Sequence, residues 1–127
     1  MASQEHVTRT ARIWLDDDGI VRKIFIDGAQ ETLKDALESG DVIVSLCQDQ
    51  KRPLLVDFSP IRSMDADARA YYSGQEVGPA ISAVAGVTKS RFAKVLGNFF
   101  MGFNKPPTPG RLFNTQEEAL AWLKTFL

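Results

Sequence analysis

Three carboxylates, Asp57, Asp65 and Asp67, and a set of hydroxyl and amide side chains, Ser59, Ser63, Thr88, Ser90, Asn114 and Thr115, are the residue types here that could do polar chemistry. General acid–base catalysis asks for a titratable pair within reach of one substrate, and nucleophilic catalysis for a nucleophile beside a base. The sequence offers little of either. Its one His, His6, lies in the polar stretch MASQEHVTRT, and its one Cys, Cys47, falls on an apolar helical face where a thiol serves as a small hydrophobe. A lone Cys and a lone His cannot build a Cys/His zinc site, and one Cys cannot close an internal disulfide. There is no G-x-S-x-G, no P-loop and no dinucleotide fingerprint. The expectation is a protein that is not an enzyme and that uses neither metal nor cofactor. The catalytic alternative that survives is one built on Asp57 or Asp65.

Those side chains have to be brought together by elements, and the elements are legible. Ala11 to Ile26 reads as a β-hairpin: Ile13 and Leu15 share one face, Ile20, Ile24 and Ile26 share one face, and Asp17-Asp18-Gly19 supplies the turn. From Leu33 the period becomes helical, through Ala36, Leu37, Gly40, Ile43, Val44 and Cys47, with Thr32 as cap. Gly40 and the run Val42-Ile43-Val44 allow a rival parse, a short helix followed by a strand. One helix over Leu33 to Gln48 is preferred because the whole segment keeps one apolar face. Pro53 to Ser59 reads as a central strand, apolar on both faces, followed by a helix with Ser63 as cap and Gly74 as its end. Ala80 to Val87 is a second buried strand, after which Thr88 or Ser90 caps a helix with the face Phe92, Val95, Leu96, Phe99, Phe100 and Phe103. Three prolines between Pro106 and Pro109 impose an extended loop. Arg111 to Phe113 is a short strand, and Thr115 with Glu118 is a capping box that opens the last helix.

The order is ββαβαβαβα: an N-terminal hairpin, then alternating strands and helices, which implies right-handed crossovers and a mainly parallel sheet. Residues 1–9 read as a flexible N-terminus and residues 10–127 as one domain. Open α/β sheets bind at the carboxyl ends of their strands. That edge should gather Ser59, Arg62, Ser63, Asp65, Ala66 and Asp67 after one strand, Thr88, Lys89 and Ser90 after the next, and Asn114 and Thr115 after the last. Free N–H groups at helix starts there could hold an anion, although capping alone accounts for Ser63, Thr88 and Thr115.

Composition narrows the partner. The chain has 127 residues, 15 Lys+Arg against 16 Asp+Glu, and a net charge of -1, so nothing favours a nucleic acid. No apolar run approaches the roughly 20 residues of a membrane span, and MASQEHVTRT lacks the apolar core of a signal peptide. With Cys47 unpaired, cytoplasm is the expected location. The segment RFAKVLGNFFMGFN is the one place where apolar side chains exceed what a single packing face needs. Phe99, Phe100, Met101 and Phe103 are candidates for an apolar interface, with a second subunit in a homodimer or with a lipophilic ligand.

The element order, together with LLVDFSPIRSMDADA, resembles the SpoIIAA-like fold of the STAS domains. In that family an apolar strand ends in Asp, a short apolar-Ser-Gly-apolar loop follows, and an apolar residue with Asp-Ser opens a helix. Here Val56-Asp57-Phe58-Ser59 fits the strand end, Ile61 the loop and Met64-Asp65 the helix entry. The closing PPTPGRLFNTQEEALAWL resembles the tail of stand-alone bacterial STAS/Sec14-type proteins. The resemblance implies a binding or regulatory domain acting on a protein partner, or a carrier or sensor of a small lipophilic or anionic ligand. It also exposes a departure. Where antagonists of anti-sigma factors carry a phosphorylated Ser after the Asp, this chain has Ala66, which has no hydroxyl. Asp65 and Asp67 flank it, as a fixed negative charge at a helix start or simply as favourable partners of the helix dipole.

Overall fold

A computed structural model describes residues 4–72, 78–88 and 108–127. Strands β1 (His6–Val7), β2 (Ala11–Leu15), β3 (Val21–Phe25), β5 (Arg52–Asp57), β7 (Ile81–Val87) and β8 (Gly110–Phe113) form one sheet in the order β1-β2-β3-β5-β7-β8. β1 and β3 both pair antiparallel with β2, while β3–β5, β5–β7 and β7–β8 are parallel. The sheet is thus mixed: parallel in the half that carries the crossovers, antiparallel at the hairpin. His6 and Val7, inside the stretch expected to be a flexible terminus, form its edge by pairing with Ile13 and Arg12.

The hairpin forms where Gly19 permits a positive φ of 84°, with the Gly19 N–H donating to the Asp16 carbonyl at 3.0 Å. Two elements were not legible in advance. β4 (Gln30–Glu31) and β6 (Ser63–Met64) form a separate two-stranded parallel sheet. Two residues carry no periodicity, so the sequence gives no signal for such a ladder.

Helix α1 (Leu33–Cys47) is one continuous helix, which rules out the helix-plus-strand parse. Its start is a reciprocal capping box. The Asp35 N–H donates to the Thr32 hydroxyl, and the Thr32 N–H donates to the Asp35 carboxylate at 3.0 Å. It ends where Gln48 turns left-handed, at φ 54°. Helix α2 (Ala66–Tyr72) follows β6, and helix α3 (Gln116–Leu123) closes the chain with one further 3₁₀ turn, Lys124–Phe126.

Alternation along the strands divides the core into two layers. Ile13, Val21, Phe25, Leu54, Val56, Ile81 and Val84 pack against α1 and its residues Ile43, Leu46 and Cys47. Ile20, Leu55, Ala83, Ala85 and Val87 pack on the opposite face with Ala119 and Leu123 of α3. The small side chains Ala83 and Ala85 let α3 lie close to the sheet, and Trp122 meets Phe113 in a tilted contact and Phe126 edge to face.

Candidate functional site

The carboxyl edge of the parallel strands is built from β5 outward. β5 ends in Asp57, whose carboxylate accepts from the Ser59 N–H at 2.9 Å and from the Gln116 side-chain amide at 2.7 Å. The Phe58 N–H continues the ladder to the Val87 carbonyl at 2.8 Å, and Phe58 and Ile61 turn inward into the core. The loop that follows is held by main-chain bonds to the turn after β3. The Gly28 N–H donates to the Pro60 carbonyl at 2.8 Å, the Arg62 N–H to the Ala29 carbonyl at 2.8 Å, and the Asp65 N–H to the Glu31 carbonyl at 3.0 Å. Ser59, Arg62, Ser63, Asp65, Ala66 and Asp67 consequently form an exposed ridge on a fixed backbone.

The helix start on this ridge differs from expectation. Ser63 does not cap α2; it is spent in β6, paired with Gln30. Asp65 caps the helix instead, its carboxylate accepting the Ala68 N–H at 2.8 Å. Ala66 is then the first helical residue and Asp67 the second. The position where the resemblance implies a phosphorylated hydroxyl is occupied by a methyl group flanked by two exposed carboxylates. One of the two already satisfies a helix N–H.

The other expected members of the edge divide. Thr88 is buried, its N–H donating to the Phe113 carbonyl at 3.1 Å. With Arg111, Leu112, Phe113, Asn114 and Glu118 it lines an open cleft of about 270 Å³ at the ends of β7 and β8. Thr115 caps α3, accepting the Glu118 N–H at 3.2 Å, but the expected capping box is half formed: the Glu118 carboxylate accepts from the Thr115 hydroxyl at 3.1 Å rather than from the Thr115 N–H. Asp57 and Asp65 do not line this cleft. Ser90 and the aromatic candidates Phe99, Phe100, Met101 and Phe103 lie outside the described residues, as does Lys89.

Beneath the ridge lies a polar cluster that sequence reading missed. Lys23 sits on the α1 face of β3, between Val21 and Phe25, and its ammonium donates to Glu31 Oε2 at 2.8 Å. The other Glu31 oxygen accepts from the Thr10 hydroxyl at 2.7 Å. Lys23 is 2% exposed, Glu31 1% and Thr10 not at all. Burial holds the Lys23 amine below the ordinary lysine range, against the pull of Glu31. Alongside, the Arg9 guanidinium forks onto both Asp35 oxygens and also donates to the Gln30 carbonyl at 2.6 Å. That hydrogen-bonded guanidinium holds the Asp35 carboxyl down at about 2, with help from Thr32, while its own burial opposes. A signal for Lys23 was present: alternation that buries Val21 and Phe25 must bury residue 23 as well. Ile20 and Ile24 line the other face, and Ile26, beyond the strand, is exposed.

Among the described residues no group of three or more His, Cys, Asp or Glu side chains could hold a metal ion, and no helix is long and apolar enough to cross a membrane. Cys47 is a free, buried thiol whose pKa burial pushes up.

This arrangement is a SpoIIAA-like fold, a mixed sheet with helices on both faces and a ridge at the carboxyl end of its central strand. The chain superposes on an uncharacterised protein of the DUF3478 family with a SpoIIAA-like fold from Shewanella loihica PV-4, with a TM-score of 0.60. The two are 18% identical over 96% of this chain and 93% of that one. The chain belongs to the family described as Domain of unknown function (DUF7793), which matches residues 13–127. A protein of unknown function from Arthrobacter sp. FB24 is 33% identical over 87% of this chain and 90% of that one, with a TM-score of 0.35. No curated protein matches the chain.

Proposed function

We propose that the chain is a non-enzymatic binding domain that engages a protein partner through the ridge from Ser59 to Asp67, without a phosphorylation switch. The observation that carries this reading is the helix start at Ala66. A hydroxyl is missing where the resemblance places the modified residue, and Asp65 and Asp67 supply a permanent charge there. A ridge fixed by main-chain hydrogen bonds suits recognition, because little order has to be gained on binding. The carboxylates that a catalytic reading would use have structural duties instead: Asp57 is held by Gln116 and the Ser59 N–H, and Asp65 caps α2. The free Cys47 suits a reducing compartment, and cytoplasm is the location this reading assigns.

A carrier of a small anionic or lipophilic molecule is the second reading, and the cleft beside Thr88 and Arg111 is what favours it. At about 270 Å³ that cleft falls just under the roughly 300–1,000 Å³ of ordinary ligand pockets and is open to solvent. The partner-protein reading is therefore preferred. Native mass spectrometry of the protein purified from its own host, wild type beside Asp65→Asn/Asp67→Asn, separates the two. The expected result is a polypeptide partner that the double variant no longer retains. A bound small molecule held equally by both forms supports the carrier, and a partner held equally by both removes the ridge from the account.

A further inference from the structure

Helix α1 carries a second apolar seam that the sheet does not use. Leu33, Leu37, Gly40 and Val44 follow one another at spacings of four, three and four, so they line one stripe of the helix. The exposed members of this stripe adjoin the buried row of Ala36, Ile43, Leu46 and Cys47 that belongs to the core. Leu33 is 37% exposed, and Leu37 and Val44 are each 42% exposed. In the middle of the stripe Gly40 is buried, because Tyr71 of α2 lies over it. A Cβ at Gly40 would stand 2.0 Å from the Tyr71 hydroxyl oxygen. α2 has 7 residues against the 15 of α1, so it covers the seam at Gly40 and leaves leucine and valine uncovered on either side. Stripes of this spacing are what one helix presents to another.

The charges beside the seam indicate what fits it. On α1, Lys34 stands one turn from Glu38, which offsets it. Asp41 stands one turn beyond Leu37 with no basic residue three or four positions to either side. On α2, Asp67 stands one turn before Tyr71 on the shoulder that faces α1, and it is exposed. Arg69, the cation of α2, turns back to donate to the Met64 carbonyl at 2.8 Å. The seam thus has one exposed carboxylate on each side, Asp41 on α1 and Asp67 on α2. An acidic rim disfavours an anionic bilayer, so the apolar strip is better suited to a protein than to a lipid surface.

We infer that the groove between α1 and α2 docks an amphipathic helix of a partner protein, its apolar side chains on Leu33, Leu37 and Val44 and its Lys or Arg side chains against Asp41 and Asp67. The inference rests on the binding reading and gives that partner a chemical class. It is tested by titrating the isotope-labelled full chain with a synthetic helical peptide that has leucines at the same four-three-four spacing and lysines elsewhere. A twin peptide with glutamates in place of the lysines is the control. The lysine peptide should shift the amides of α1 and α2, bind more weakly as salt rises, and lose about tenfold in affinity to Leu37→Asn or Val44→Asn, both on exposed positions. Asp41→Asn/Asp67→Asn should abolish the preference for lysine over glutamate. Equal binding of the two peptides, or shifts that map elsewhere, overturns the inference. So does sedimentation of the free chain as a dimer that Val44→Lys dissociates, which makes the occupant a second copy. If the peptide fails while the host partner still depends on Asp65 and Asp67, this inference falls and the binding reading survives.

Discussion

Taking the ammonium of Lys23 and the carboxylate of Glu31 out of water is costly, and their mutual attraction repays it only while every remaining polar atom is satisfied. Glu31 accepts from Lys23 with one oxygen and from the Thr10 hydroxyl with the other, and the Lys23 ammonium also lies 4.5 Å from the Phe25 ring centroid. Removing one partner strands the other as a buried charge. Lys23→Met is therefore expected to destabilise the fold by about 3–5 kcal/mol in urea unfolding. The triple replacement Thr10→Val/Lys23→Met/Glu31→Met removes all three polar groups together and is expected to return most of that loss. If the triple variant is no more stable than the single one, the cluster matters for something other than its own charge balance. At this scale the sequence is legible only through alternation. A lysine between two inward apolar residues reads as an intruder, and nothing local identifies Glu31 as its partner eight positions later. The ridge residues were easier to single out, because Asp65, Ala66 and Asp67 are consecutive and their departure from the resembled pattern is visible residue by residue.

Elements were legible wherever a period ran long enough to be read. The stripe of α1 spans 15 residues and overrides the strand preference of Val42-Ile43-Val44, because an apolar face that stays in phase is worth more than local propensity. The parallel half of the sheet followed from alternation of strand and helix. β4 and β6 could not be foreseen, and missing them also misplaced the cap of α2: Ser63 was assigned to the helix that Asp65 in fact starts. Gly40 is a similar case. In the sequence it is a weak point in a helix; in the structure it is where Tyr71 fits. Alanine there would gain roughly 1 kcal/mol of helix propensity. It would also set a methyl group 2.9 Å from two Tyr71 ring carbons and nearer still to the hydroxyl. Displacing a ring costs about 1–3 kcal/mol, so Gly40→Ala is expected to lower the melting temperature. Gly40→Ala/Tyr71→Ala should be helped by the same methyl. A stabilising single variant means that α2 moves aside freely.

For the whole molecule, near-neutral charge, one His and one Cys first served to exclude functions, and the fold gives those absences a place. His6 is in an edge strand and Cys47 in the core between α1 and the sheet, both away from the ridge after β5. The SpoIIAA-like architecture fixes where such a domain presents its loop, and the resemblance associates that loop with a charge switched on by phosphorylation. Here the charge is built in. On the proposed binding reading, the partner is chosen by constant surface chemistry, the two carboxylates at the start of α2 together with the apolar seam of α1. Phosphosite mapping of the intact protein isolated from its own host tests that claim most directly. The account predicts a ridge without phosphate, Ser59 and Ser63 unmodified under every growth condition sampled; phosphate on either serine contradicts it.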